Sequence, residues 1–180
     1  MKLTDEALSE MLRLLPIGLK TLFPTLTAST TSPTPILTLL PPSPSTSLPL
    51  LLLQLSVPPS TPLVILPSPV LLSSALSSTA HPQPAVVVVH ASLVDDVLEQ
   101  VWEDRGDKAG VLVVGDPQKE QYRVVENAKT RGMKVAWWEE IWEVAEKAPT
   151  EKGVLPGTLI SLGAHRVLLI KHRCPYLRCA

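Results

Sequence analysis

Between Thr21 and Val94 the chain has no Asp, Glu, Lys or Arg, so its charge sits in the residues on either side. Soluble domains normally carry charge at roughly a quarter of their positions. A charge-free stretch of that length must stay unfolded, lie in a bilayer, or be buried against further polypeptide. Cysteine is nearly absent. Cys174 and Cys179 stand together at the far C-terminus, which excludes a disulfide framework through the body and favours a reducing compartment. Glycine is scarce, with eight residues, and neither a Gly-x-Gly-x-x-Gly run nor a Walker loop occurs among them. A basic excess is also lacking. A net charge of −1 excludes the positive face that a nucleic-acid binder needs.

Proline, by contrast, is abundant, with nineteen residues, most of them between Pro16 and Pro84. These prolines cut the apolar half into short pieces. The longest apolar run without one, Leu50 to Val57, contains Gln54 and Ser56, whereas a membrane span needs about twenty residues. No transmembrane span is therefore expected. The acids Asp5 and Glu6 stand where a secretory signal needs basic residues, so a cytoplasmic location is expected, with organelle association left open. Thr25 to Pro35 and Pro41 to Pro49 resemble linkers. Ile36 to Leu40, Leu50 to Leu53 and Leu63 to Leu66 are too apolar to remain solvated, and they require a core.

The second half alternates clearly. Ala85 to Val89 reads as a strand buried on both faces. Ser92 then caps a helix with Asp95 three residues on, and Leu93, Val94, Val97, Leu98, Val101 and Trp102 form its apolar stripe up to Gly106. Val111 to Val114 is a second strand. Asp116 caps and Pro117 starts a helix with Tyr122, Val125 and Ala128 facing inward, ending at Gly132. Met133 to Trp137 is a third strand. Glu139 and Glu140 open a last helix striped by Ile141, Trp142 and Ala145.

The same rhythm extends back into the charge-free half. Ile36 to Leu40 and Leu63 to Leu66 are strands there. Ser47 to Leu55 is a helix with Pro49 in its first turn, and Ser68 caps a helix begun by Pro69 and running to about Ser78. Thr4 caps an amphipathic helix over Thr4 to Leu15. The fold class is thus α/β, with alternating βα units on a mostly parallel sheet, as an incomplete domain. Its parts are an N-terminal helix (1–20), a charge-free Pro/Ser/Leu-rich half (21–84), a clear βαβαβα half (85–148) and an atypical basic tail (149–180). The helix over Leu48 to Leu55 is apolar nearly all round and lacks a solvent face. A missing remainder of the domain, or a partner, is expected to cover the charge-free helices.

Several residues invite a chemical role. The pair Asp95–Asp96 is better read as serving a helix N-terminus. Gly115–Asp116 ends a strand where α/β sheets bind ligands, although a strand-to-helix turn wants the same residues. Trp137, Trp138 and Trp142 fit packing better than stacking on a ligand. His165, His172, Cys174 and Cys179 lack paired zinc spacing, so no metal site is expected. His90, after a buried strand, has no visible nucleophile to serve and reads as a turn residue. No catalytic residue is assigned, and cofactor-binding residues stay unassigned.

The order of elements, with particular residues, resembles the N-terminal subdomain of the AMP-forming acyl-CoA synthetases, the adenylate-forming ligases. Ile36 to Pro44 followed by Leu48 to Leu55 is similar to that family's early strand, Pro/Ser turn and apolar helix. Pro62 to Pro69 with Leu71 to Leu76 resembles the next strand and helix. Ala85 to Leu93 with Val97-Leu98-Glu99, then Gly110 to Asp116, resemble the following units. Gly132 to Val135 through Trp138-Glu139-Glu140-Ile141 is similar to the family's segment before the catalytic core.

The likeness spans residues 30 to 147. It implies a scaffold for activating a carboxylic acid, such as a fatty acid, with ATP, Mg and CoA in the complete family. That chemistry needs a Ser/Thr/Gly-rich loop ending in Pro-Lys. Thr158 to Gly163 does not supply it, so none of these cofactors is placed on this chain. From Gly153 onward Arg166, Lys171, Arg173 and Arg178 are the only charges, which fits an out-of-frame, unspliced or divergent ending. Two alternatives remain: a stand-alone α/β module for a nucleotide or other small ligand, with its site near His90 and Asp116, and an interaction protein that folds on a partner.

Overall fold

The computed structural model describes residues 4–24, 35–57, 61–77, 85–116 and 118–148. The tail from 149, with its histidines and cysteines, and Pro117 lie outside them. Five parallel strands stand in the order β2-β1-β3-β4-β5: β1 Ile36–Leu39, β2 Leu63–Ile65, β3 Ala85–His90, β4 Ala109–Val114 and β5 Lys134–Trp137. The valine runs supply the middle. Val86 to Val89 and Val111 to Val114 are all buried, because a parallel sheet is covered on both faces and alternate side chains feed two cores.

One core takes Ile36, Val86, Val88, Leu112, Val114, Ala136 and Trp138. Helices α1 (Asp5–Leu22), α2 (Pro44–Ser56) and α6 (Glu140–Lys147) cover it. The other takes Leu37, Leu39, Val87, Val89, Val111, Val113, Val135 and Trp137, under α3 (Leu72–Ser77), α4 (Val94–Arg105) and α5 (Lys119–Thr130). The fold is a doubly wound α/β sandwich, and its winding reverses between β1 and β3. Thr38 is the polar exception within β1. It is fully buried, and its hydroxyl donates to the Val64 carbonyl at 3.3 Å.

The strands fall where the sequence places them, and several helix starts do not. Helix α1 is capped by Thr4, whose hydroxyl accepts from the Ala7 amide. It continues past Leu15 and through Pro16 to Leu22, because Leu14, Leu15 and Gly18 pack beneath it and outweigh one lost backbone bond. Helix α2 starts earlier than Ser47, at Pro44. Ser43 and Thr46 form a capping box, and Pro44 occupies the first turn, where its missing N–H costs nothing. Pro49 consequently lies inside the helix rather than in its first turn.

Ser68 does cap the turn Pro69–Leu71 that leads into α3. Ser92, however, does not cap α4. It sits inside a short 3-10 turn, Ala91–Leu93, which His90 caps, and Leu93 precedes the helix. Asp116 does not cap α5 either: Gln118 and Gln121 reciprocate there. Val125 and Ala128 face inward as expected, whereas Tyr122 is exposed at the rim, its ring 5.0 Å from Trp137. Gly106 and Gly132 take positive φ at the ends of α4 and α5, the conformation that favours glycine there.

Candidate functional site

Open parallel sheets bind ligands beyond the carboxyl ends of their strands, at the point where winding reverses. In this sheet that point is the crevice between the ends of β1 and β3. Next to it, over the ends of β1 and β2, a cavity of about 760 Å³ opens, walled by Leu40, Pro41, Leu50, Ile65 and Pro69, with Leu93 from the turn after β3. Its polar side chains come from the β1–α2 turn, and they are already hydrogen-bonded. The Thr46 side chain, buried, donates to the Pro41 carbonyl at 2.6 Å and accepts from the Ser43 amide at 3.2 Å. The Ser43 and Ser45 hydroxyls are 2.8 Å apart. These bonds stiffen a turn in which Pro41, Pro42 and Pro44 have no N–H to offer. The groove therefore presents an apolar, uncharged wall.

Beside it, at the ends of β3 and β4, lies the polar constellation that strand pairing assembles. The register sets His90 opposite Val114, so the His90 ring rests over Gly115. A Cβ on Gly115 would meet His90 Nε2 at 2.8 Å, and Gly115 has φ +103°. Only glycine suits both constraints. The Ser92 amide donates to His90 Nδ1 at 3.3 Å, and the Ser92 hydroxyl lies 2.8 Å from the same nitrogen. With Nδ1 accepting, the neutral ring carries its proton on Nε2. Burial holds the imidazole below its ordinary pKa and keeps it neutral at pH 7. Among the described residues no carboxylate is seen orienting the ring, so the Ser92–His90 contact lacks the third member that activates a nucleophile.

The carboxylates lie nearby. Glu139 is held above the usual carboxylate range, first by its loss of hydration and then by repulsion from Asp116 and Glu140. Because much of the residue still meets solvent, water moderates the effect. Glu140 ties β5 to α5, since its carboxylate accepts from the Trp137 amide at 3.1 Å and from Lys129 Nζ at 2.9 Å. Asp95 and Asp96 are exposed in the first turn of α4, as acids at a helix N-terminus should be. Trp137, Trp138 and Trp142 are buried, the last two edge to face with centroids 5.8 Å apart, so they pack and are not available to stack on a ligand.

Among the described residues no group of three His, Cys, Asp or Glu is placed to hold a metal ion. The residues that line the groove include no Lys or Arg for a triphosphate or for the phosphates of CoA. The residues lining this groove thus offer no cation to the phosphates of ATP or CoA, and no chemical step is derived through ATP, Mg or CoA. No helix among the described residues is long and apolar enough to cross a membrane.

Sequence reasoning placed His90 and Asp116 near one site at the strand ends but did not set the His90 ring on Gly115, which the β3–β4 register does. The signal was a glycine just past a valine strand, one position beyond the histidine's partner. The Ser43–Thr46 lock was also missed, although a Ser-x-x-Thr spacing after two prolines announces it.

No protein-family model and no curated protein matches this chain. The fold is similar to the A-PCP didomain of a carboxylic acid reductase from Segniliparus rugosus, solved in complex with AMP. The TM-score is 0.60 at 19% identity, over 88% of this chain and 22% of that one. The chain thus spans about a fifth of the structure it resembles. At that identity the likeness is one of fold.

Proposed function

We propose that this chain is a scaffold portion of an adenylate-forming enzyme, of the AMP-dependent carboxylic acid–CoA ligase kind, that is inactive by itself. The observation that carries this reading is the fold likeness to the A-PCP didomain of a carboxylic acid reductase, an adenylate-forming enzyme, confined to 22% of that chain. The order of strands and turns from residue 30 to 147 supports the same reading. In the complete protein ATP, Mg and CoA would be held by residues outside this scaffold. Further polypeptide would cover the charge-free helices.

ATP–pyrophosphate exchange with a panel of fatty and short carboxylic acids tests the proposal. The chain alone should give no exchange. A chimera in which residues 35–147 replace the matching segment of an active acyl-CoA synthetase should recover it. Exchange by the chain alone, or a folded but inactive chimera, would overturn the proposal.

The His90–Ser92–Gly115 constellation favours a second reading, a stand-alone module for a nucleotide or other small ligand at the ends of β3 and β4. Binding of AMP to the isolated chain, abolished by His90→Ala, would support it. Calorimetry showing no heat with AMP or ATP would remove it.

A further inference from the structure

Helix starts are normally capped by Ser, Thr, Asp or Asn, whose oxygens accept an amide throughout the neutral pH range. The start of α4 relies on an imidazole instead. His90 caps the 3-10 turn Ala91–Leu93, where its Nδ1 accepts from the Ser92 amide at 3.3 Å. The turn passes straight into α4, and Leu93, the residue before that helix, supplies no side-chain cap of its own. A single titratable nitrogen therefore provides the side-chain cap at this entry.

Neutral histidine can accept at Nδ1, whereas the imidazolium has two N–H groups and no acceptor. A proton on Nδ1 sets two donors face to face, the ring and the Ser92 amide. It also places a cation at the positive end of α4. The Ser92 hydroxyl, 2.8 Å away, can accept from the protonated nitrogen, but the amide is left without its acceptor. The ring cannot turn toward β4, because Nε2 already lies against Gly115. Carboxylates stand on the elements that meet at this end of the sheet: Asp95 and Asp96 on α4, Asp116 after Gly115, and Glu139 before α6. None of them offsets the burial that disfavours a charged ring, which is the one cause acting on His90.

What the turn holds is part of the groove wall. Ala91 and Val94 are buried on either side, and between them Leu93 lines the cavity. We propose that His90 is a pH-sensitive latch on this groove: the neutral ring fixes the turn that sets Leu93 in the wall, and the protonated ring releases it. The released ring is better hydrated, so opening takes up a proton. The drive to open begins as pH falls through the ordinary imidazole range and is fully developed below the lower value of the closed state. Ala91 and Val94 stay anchored, which confines the movement to Ser92 and Leu93.

Nuclear magnetic resonance on the isotope-labelled full chain, titrated from neutral pH to about pH 5, reads each part. At neutral pH Nδ1 should give the signal of an unprotonated acceptor. On acidification the Ser92 amide and the Leu93 methyl signals should shift with the midpoint of the His90 ring. The Ser92 amide should also lose about fivefold in its protection against solvent exchange, the worth of one hydrogen bond. His90→Asn, which can accept the same amide without titrating, should hold both signals constant over that range. A hydrogen on Nδ1 at neutral pH overturns the proposal, as do Ser92 and Leu93 signals with no step at the His90 midpoint. The same step in His90→Asn overturns it too, by assigning the event to a carboxylate such as Glu139. So does a chain that unfolds as a whole before the ring titrates.

Discussion

Gly18→Ala separates packing from helix propensity, because the two predict opposite signs. Gly18 lies in α1 where that helix crosses α6, the most extensive helix pair among the described residues. A Cβ there would fall 2.5 Å from Ile141 Cγ2 and 2.5 Å from the Ile141 carbonyl oxygen. Rotation of Ile141 can move the first atom but not the second. The helices must part by roughly 1 Å before the methyl group sits at ordinary contact distance. That strain spreads over Met11, Leu14 and Leu15 on one side and Ile141 and Ala145 on the other, all buried.

Overpacking of this kind costs about 1–3 kcal/mol, and exchanging Gly for Ala within a helix returns about 1 kcal/mol. Because the contact with the Ile141 carbonyl cannot be relieved by a change of rotamer, the upper part of that range applies, and the net expectation is a loss of about 1–2 kcal/mol. With a urea m-value of about 2 kcal/mol per molar, the unfolding midpoint falls by roughly 0.5–1 M. Adding Ile141→Ala removes only the side-chain contact, so the double variant should show less than half of the loss recovered as coupling. Urea unfolding followed by circular dichroism measures all of these. A Gly18→Ala protein as stable as the parent, or more so, would refute the claimed close approach.

Pro16, exposed within α1, leaves the Leu12 carbonyl without its helical donor. Pro16→Ala should raise stability by about 1 kcal/mol, the gain in the helix being partly offset by a freer unfolded chain. A fall in the melting temperature would contradict this. Gly115→Ala meets both the His90 ring and a φ of +103°, and should cost about 2–4 kcal/mol. His90→Ala in that background should recover only the contact part, as read by thermal unfolding. The folded-state pKa of Glu139 is raised, so the ionised form opposes folding. That penalty is absent below the ordinary carboxylate pKa and develops as pH rises through the folded value. Glu139→Gln should therefore add a few tenths of a kcal/mol at neutral pH, screened by water, and nothing in acid. A gain that is the same at both pH values would rule out this cause.

The strands were legible because their signals are local and redundant. Val86 to Val89 and Val111 to Val114 are β-branched runs that only a sheet covered on both faces buries without waste. Gly132 marked a helix end for a backbone reason that needs no neighbours. Helix starts were less legible, since Asp116 and Ser92 are good caps by residue type, yet Gln118 and His90 occupy the geometry that caps. The first helix, read as far as Leu15, runs on through Pro16 because α1 packs on α6. The exposure of Tyr122 depends on where the rim of α5 meets Trp137, a tertiary fact. The candidate site was legible as a neighbourhood, His90 with Asp116 at the strand ends, but not as contacts. His90 and Gly115 meet through strand register, and the groove exists only once β1, β2 and the turn after β3 stand side by side.

The most direct test of the scaffold reading is the transcript, sequenced from the codon of Glu139 through several hundred bases beyond Ala180. The account predicts a spliced frame that runs on into a Ser/Thr/Gly-rich loop ending in Pro-Lys. A confirmed stop after Ala180 with no such loop in any frame would contradict it.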